Sequence, residues 1–331
     1  MFKKILIVFA FTATIVTAAF AWGSWGHQHI NYVSIFGLPT EMQVFFYNHK
    51  DFLVEESVIP DVRKSSDKLE FNRHFIDIEG FEEKSIDSFA WLTKDAYKKY
   101  DQKLLDKMGI LPWYIQDMMA KLTTAMKNGR KSEILFIAGD LGHYIADANM
   151  PLHTSLNHNG QLTGQTGIHS LWESQLPDYF GAAYKFQIKP ATYYPDVSKA
   201  TWDLIRNTHG LVDTLLSVDK KVRADMKDQI FKKDANGVTI KNKYGTQVFS
   251  YEYAEALHKK LNGMVERQLN HAMQDLTNFW YTAWVNAGKP DLSKLDPAGI
   301  TERNRNNLKK DIKLMKQGKV FGFRVETEFD R

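Results

Sequence analysis

Apolar residues three and four positions apart recur along most of the chain, the period of helices that bury one face. The clearest run extends from about Glu252 to Val285. There Ala254, Leu257, Leu261, Val265, Leu269, Met273, Leu276 and Phe279 keep one stripe. The same spacing recurs around 111–126, 131–149, 169–176 and 199–226. Strand-like alternation occurs only near 236–249, after an Asn-Gly pair, and predicts at most a short hairpin there. Pro151, Pro177, Pro190 and Pro195 punctuate the chain between helical segments. From Gly288 to Arg331 the sequence turns polar and charged and reads as a solvated extension, its end docked by Phe321 and Phe323. The pattern predicts an all-α fold: one multi-helix domain over 22–287, followed by the 288–331 extension.

The first residues change the picture of where the domain begins. Lys3 and Lys4 precede an apolar run from Ile5 to about Phe20, which ends in Ala19-Phe20-Ala21. A positive start, an apolar centre and a small-x-small ending form a secretory signal peptide, so residues 1–21 are expected to be removed after Ala21. The mature chain would then start at Trp22 and be exported, either to a periplasm or outside the cell. The chain contains no cysteine, so disulfides play no part, and a domain of this size can fold without them. The 331 residues carry 43 basic and 39 acidic side chains. Such a near balance leaves no broad electrostatic footprint for a polyanion. No Pro/Gly/Ser-rich linker or internal repeat divides the chain.

The candidate chemistry lies in two histidine–carboxylate pairs. His143 and Asp147 are four apart and project from one helix face, where they can meet one metal ion. Pro151 ends that helix, which leaves His153 on a turn just beyond the pair. Sixteen residues on, His169 and Glu173 repeat the four-residue spacing. Upstream stand Asp61, after Pro60, and His74. At the mature N-terminus, the amine and carbonyl of Trp22 can chelate a metal with His27 nearby. One such pair alone is usually coincidence, but this scheme takes up five of the eleven histidines. Imidazole and carboxylate ligands without thiolate suit zinc at a catalytic site.

The order His143-Tyr-x-x-Asp147-x-Asn-x-Pro151-x-His153, then Gly-Ile-His169-x-x-Trp-Glu173, resembles the superfamily of bacterial zinc-dependent phospholipases C and single-strand-specific zinc nucleases. The resemblance covers Trp22 to about Leu176. It implies a helical phosphodiester hydrolase with three zinc ions. Asp61, His74, His143 and one oxygen of Asp147 would hold the first ion. Trp22, His27 and the other oxygen of Asp147 would hold its neighbour. His153, His169 and Glu173 would hold the third. A water or hydroxide between the bridged pair would be the nucleophile, with Asp61 orienting it or accepting its proton.

The sequence leaves two substrates open. Glu173 and the short interval from His153 to His169 resemble the phospholipases. Trp22 with His27, and His74-Phe75-Ile76-Asp77, resemble the nucleases, in which the aromatic after the histidine stacks on a base. Arg63 and Lys64 are candidate phosphate contacts, Lys64 standing where the nucleases place an arginine. We read the chain as leaning towards phospholipase C, with the nuclease/3′-nucleotidase as the alternative. Phospholipid or single-stranded nucleic acid is the expected partner, with a transient contact at a membrane surface and no protein partner. A non-catalytic exported module stabilised by zinc is the third reading. The absence of thiolate counts against it, because closed structural zinc sites are usually rich in thiolate.

Overall fold

The computed structural model describes residues 23–242 and 245–319, so the expectations placed on residues 1–22, Phe321 and Phe323 lie outside it. Helices make up the architecture, and no strand longer than an isolated bridge forms among the described residues. At the centre, helix Leu111–Lys127 turns through Asn128-Gly-Arg130 into helix Lys131–Ala148, and the two pack as a hairpin. Helices Ser24–Ser34 and Met264–Asn286 pack against Lys131–Ala148 and against each other. Trp113, Trp172, Trp202 and Trp280 are fully buried. Each such aromatic removes enough surface from water to contribute about 4–6 kcal/mol. The Trp280 indole also donates to the Ala138 carbonyl at 3.1 Å, fixing how these two long helices meet.

Two glycines decide how closely the helices approach. A Cβ at Gly142 would lie 1.7 Å from Asn31 Oδ1, and one at Gly139 would lie 2.7 Å from Glu56 Cβ. Without side chains there, Asn31 reaches across to donate to the carbonyls of Leu53 and Gly139 at 2.8 and 3.1 Å. This contact brings the helix bearing His27 against the helix bearing His143.

The structure departs from the sequence reading in three places. The run from Glu252 to Val285 is two helices, Tyr251–Lys260 and Met264–Asn286. Asn262 and Gly263 adopt φ of +49° and +74°, a left-handed step that interrupts the backbone while the apolar stripe continues. Near 236–249 the chain makes only bridges, Phe231 with Phe249, Lys233 with Thr239 and Lys241 with Gln247, with turns at Gly237 and Gly245.

In the described part of the extension, up to residue 319, one helix is docked rather than solvated. Helix Glu302–Met315 buries Leu308, Asp311 and Met315. Asp311 Oδ2 accepts from the buried hydroxyls of Tyr32 at 2.7 Å and Tyr47 at 2.5 Å. Asp296 accepts from Lys131 and Asn48 and pairs with His49 at 2.7 Å. Its amphipathic stripe is too sparse to stand out in a polar segment.

Asp311→Ala would leave two buried hydroxyls without an acceptor, at about 1–3 kcal/mol each. We expect a loss of about 2–4 kcal/mol in urea unfolding. An unmoved midpoint would show that the extension adds nothing to stability.

Candidate metal centre

Helix Lys131–Ala148 carries His143 and Asp147 on one face, with both side chains fully buried. His143 Nε2 is 3.2 Å from Asp147 Oδ2. The segment before the helix Ile59–Arg63 sets the ring, since His143 Nδ1 donates to the Ser57 carbonyl at 2.8 Å. Asp61 projects from that short helix, whose first turn holds Pro60, where no N–H is needed. Its Oδ1 stands 3.6 Å from His143 Nε2 and 3.7 Å from His74 Nδ1. His27, from Ser24–Ser34, stacks on His143 with ring centroids 3.9 Å apart and points Nε2 at Asp147 Oδ1, 3.7 Å away.

His74 follows a single turn, Phe71–Arg73, and its Nδ1 lies 2.9 Å from Asp147 Oδ2. The backbone there clasps the His153 turn twice: Ile76 N–H donates to the His153 carbonyl at 2.8 Å, and His153 Nδ1 donates to the His74 carbonyl at 2.6 Å. His153 Nε2 faces Glu173 Oε2 at 3.5 Å, and His169 Nε2 faces the same oxygen at 3.1 Å. Glu173 sits in a π-helical turn, Leu171–Gln175. Pro177 lacks the N–H that would bond the Glu173 carbonyl four residues back, which accounts for the widened turn.

The folded chain thus gathers His27, Asp61, His74, His143, Asp147, His153, His169 and Glu173, all buried. Three sets have ligand atoms within 4.8 Å of one another: His27, Asp61 and His143; His74, His143 and Asp147; and His153, His169 and Glu173. Trp22, expected to complete the second ion's ligands, lies outside the described residues. Gly23 reaches the neighbourhood, since a Cβ there would be 2.9 Å from the hydroxyl of Ser174, next to Glu173.

The electrostatics fit cations. Burial raises the pKa of Asp147, but His143, His153 and His74 outweigh it and hold the carboxyl well below its usual range. Burial likewise opposes charge on Glu173, and His169 and His153 overcome it. Burial lowers His153, yet Asp147 and Glu173 lift it to about 9. Asp147 Oδ1 and His153 Nε2 are buried and make no hydrogen bond within the protein. Imidazole nitrogens and carboxylate oxygens gathered without thiolate are a donor set that suits zinc.

The other candidates fall differently. Lys64 lies at the cluster, its Nζ 2.6 Å from Asp61 Oδ1. Arg63, expected to contact substrate, is enclosed by carboxylates: Asp140 at 2.6 Å, Glu70 at 3.3 Å and Glu56 at 3.6 Å. Successive helical residues point about 100° apart, so Arg63 turns inward to this network. Phe75 is half-buried and meets the exposed ring of Phe71 edge-on, 5.4 Å between centroids. Sequence reasoning missed Glu70, Glu56, Asp140 and Tyr144; the one available signal was Glu70 four residues before His74. His158 contributes its carbonyl, which accepts from His169 Nδ1 at 2.8 Å. His29 stacks on Trp25 and bonds its carbonyl, apart from the three sets.

An all-helical domain with clustered histidines and carboxylates defines a class of metal-dependent hydrolases. A family model described as zinc-dependent phospholipase C matches residues 26–236, nearly two thirds of the chain, and the protein belongs to that family. The family's substrate class is phospholipid and its chemistry phosphodiester hydrolysis. Among solved structures, Clostridium perfringens alpha-toxin from an avian strain is similar at 12% identity and a TM-score of 0.44, over 81% of this chain and 65% of the toxin chain. Alpha toxin from Clostridium absonum is similar at 12% identity and a TM-score of 0.39, over 82% and 65%. The chain therefore spans just under two thirds of those proteins. A comparison with curated proteins finds no match.

Replacing Asp147 by Asn should remove at least one metal, because a neutral amide bridges two cations poorly. Plasma mass spectrometry of purified Asp147→Asn should show fewer zinc ions per chain than wild type. Equal zinc content would refute the bridging role.

Proposed function

We propose that the protein is an exported phospholipase C that hydrolyses the phosphodiester of a phospholipid with three bound zinc ions. The observation that carries this reading is the convergence of two histidine–carboxylate clusters on Asp147, within a chain of the phospholipase C family. His153 belongs to the outer cluster and its Nδ1 also lies 3.9 Å from Asp147 Oδ2, so the two halves adjoin. Zinc, when bound, supplies Lewis acidity and makes water nucleophilic near neutral pH. Export rests on the Ala19-Phe20-Ala21 ending, and a free Trp22 amine would complete the ligand set only after cleavage.

The residues divide the remaining work. His27, Asp61, His74, His143 and Asp147 would hold the paired ions, and His153, His169 and Glu173 the third. Asp61, at the edge of the paired set, orients the attacking water and can take its proton. That water oxygen bonds to phosphorus while the bond from phosphorus to the glycerol oxygen breaks and that oxygen takes a proton from solvent, releasing diacylglycerol and a phosphorylated head group. Lys64 carries a fixed positive charge at the same carboxylate; Asp61, Asp147 and Glu173 raise its pKa against the effect of burial. It is placed to balance the phosphoryl oxygens. Arg63 is paired with Glu56, Glu70 and Asp140.

The pair Phe71 and Phe75 favours a second reading, because an accessible aromatic edge beside a phosphodiesterase centre can stack a base. One reaction separates the two. Mature protein and zinc are incubated with phosphatidylcholine vesicles and single-stranded DNA, and phosphorus-containing products are identified by mass spectrometry. We expect phosphocholine and intact DNA. Nucleotides with intact lipid would overturn the phospholipase reading and give Phe75 a substrate role.

A further inference from the structure

Ring nitrogens in the centre are used in two opposite ways. His143, His153 and His169 each turn Nδ1 to a backbone carbonyl, those of Ser57, His74 and His158. A carbonyl only accepts, so Nδ1 carries the proton and Nε2 offers the lone pair. His74 is reversed. Its Nδ1 points into the cluster, 2.9 Å from Asp147 Oδ2 and 3.7 Å from Asp61 Oδ1. Its Nε2 is buried and faces Glu70 Oε1 at 3.4 Å.

Glu70 is fully buried and held on both oxygens. Oε1 accepts from the Tyr144 hydroxyl. Oε2 accepts from Arg73 at 2.8 Å and from Arg63 Nε at 3.3 Å. Arg63 is held in turn by Asp140 at 2.6 Å. Tyr144 and Asp140 lie on the helix that bears His143 and Asp147, so the carboxylate is fixed relative to the cluster.

We propose that Glu70 is a positioning residue that holds His74 as the Nε2–H tautomer, so that Nδ1 alone faces the metals, with Tyr144 and Arg63 fixing the carboxylate. The proposal rests on the reading of His74 as a zinc ligand and extends it to a carboxylate–histidine–metal relay. Glu70 touches neither substrate nor metal; its effect passes through the ring.

The test uses full-length mature protein and no substrate. Zinc affinity is measured by competition with a chelating dye for wild type, Glu70→Gln and Glu70→Ala. Histidine tautomers are read from long-range proton–nitrogen correlation spectra of the zinc-loaded proteins. We expect wild-type His74 to show Nε2–H with metal-shifted Nδ1, opposite to His143. Glu70→Ala should weaken one of the zinc ions about 10–100-fold and mix the His74 tautomers. Glu70→Gln keeps the shape and should fall between. Should Glu70→Ala fail to fold, Tyr144→Phe, which frees one carboxylate oxygen, should loosen the same ion by a smaller factor. Native zinc affinity and a native His74 tautomer in Glu70→Gln and Tyr144→Phe would overturn the proposal while leaving the phosphodiesterase reading intact. A wild type that binds no zinc would overturn both.

Discussion

Asp147 is a fully buried carboxylate inside a helical bundle, and its charge constrains the structure around it. An isolated ion there would cost several kcal/mol in lost hydration. Imidazoles on three sides repay it: His74 and His143 at 2.9 and 3.2 Å from Oδ2, and His27 at 3.7 Å from Oδ1. Each imidazole comes from a different part of the chain or is pinned by one. His143 is tied to Ser57, and His74 is clasped to the His153 turn. The absence of side chains at Gly139 and Gly142 lets the surrounding helices close to this distance. The same nitrogen and oxygen atoms are groups that could hold a metal ion.

A second buried network backs the first and accounts for the divergence of two neighbouring cations. Arg63 sits among Glu56, Glu70 and Asp140, and one of these must give up charge. Burial and the adjacent Asp140 raise Glu56 to about 8, so it is largely protonated at neutral pH. Glu70 keeps its charge: burial opposes it, and the bonds from His74 and Tyr144 with Arg63 nearby bring it down to about 2. Lys64, one residue later, faces Asp61 in the histidine–carboxylate cluster instead. A basic dipeptide thus divides between scaffold and site.

The legible part of this centre was whatever depends on local period. His143 with Asp147 and His169 with Glu173 follow from helical spacing, and His153 from the proline that ends the helix. The pairing of Arg63 with Glu56, Glu70 and Asp140 was not legible, because charge pattern alone does not report which way a side chain turns. Glu70 and Tyr144 meet only through tertiary packing across 74 residues. The His158 contribution is a backbone carbonyl, invisible in any side-chain motif. Fold class was legible for the same reason, since apolar stripes state which face is buried. Breaks were not: Asn262 and Gly263 change the backbone without disturbing the stripe. The docking of Glu302–Met315 depends on Asp311, a residue that reads as solvated until two tyrosines are found above it.

That docking bears on the centre through a single helix. Ser24–Ser34 carries His27 near its start and Tyr32 near its end, so the residue that stacks on His143 and the residue that holds Asp311 share one rigid rod. The rod is pinned again at Ser34, whose hydroxyl donates to Met273 O at 2.9 Å and whose carbonyl accepts from Thr277 at 2.8 Å. A rotation of one residue in register, about 100°, would carry His27 away from Asp147 altogether. Metal sites tolerate displacements well under an ångström before affinity suffers. The C-terminal extension and helix Met264–Asn286 are therefore positioning elements, because they hold the register of a helix whose first turn places His27 against the same buried carboxylate.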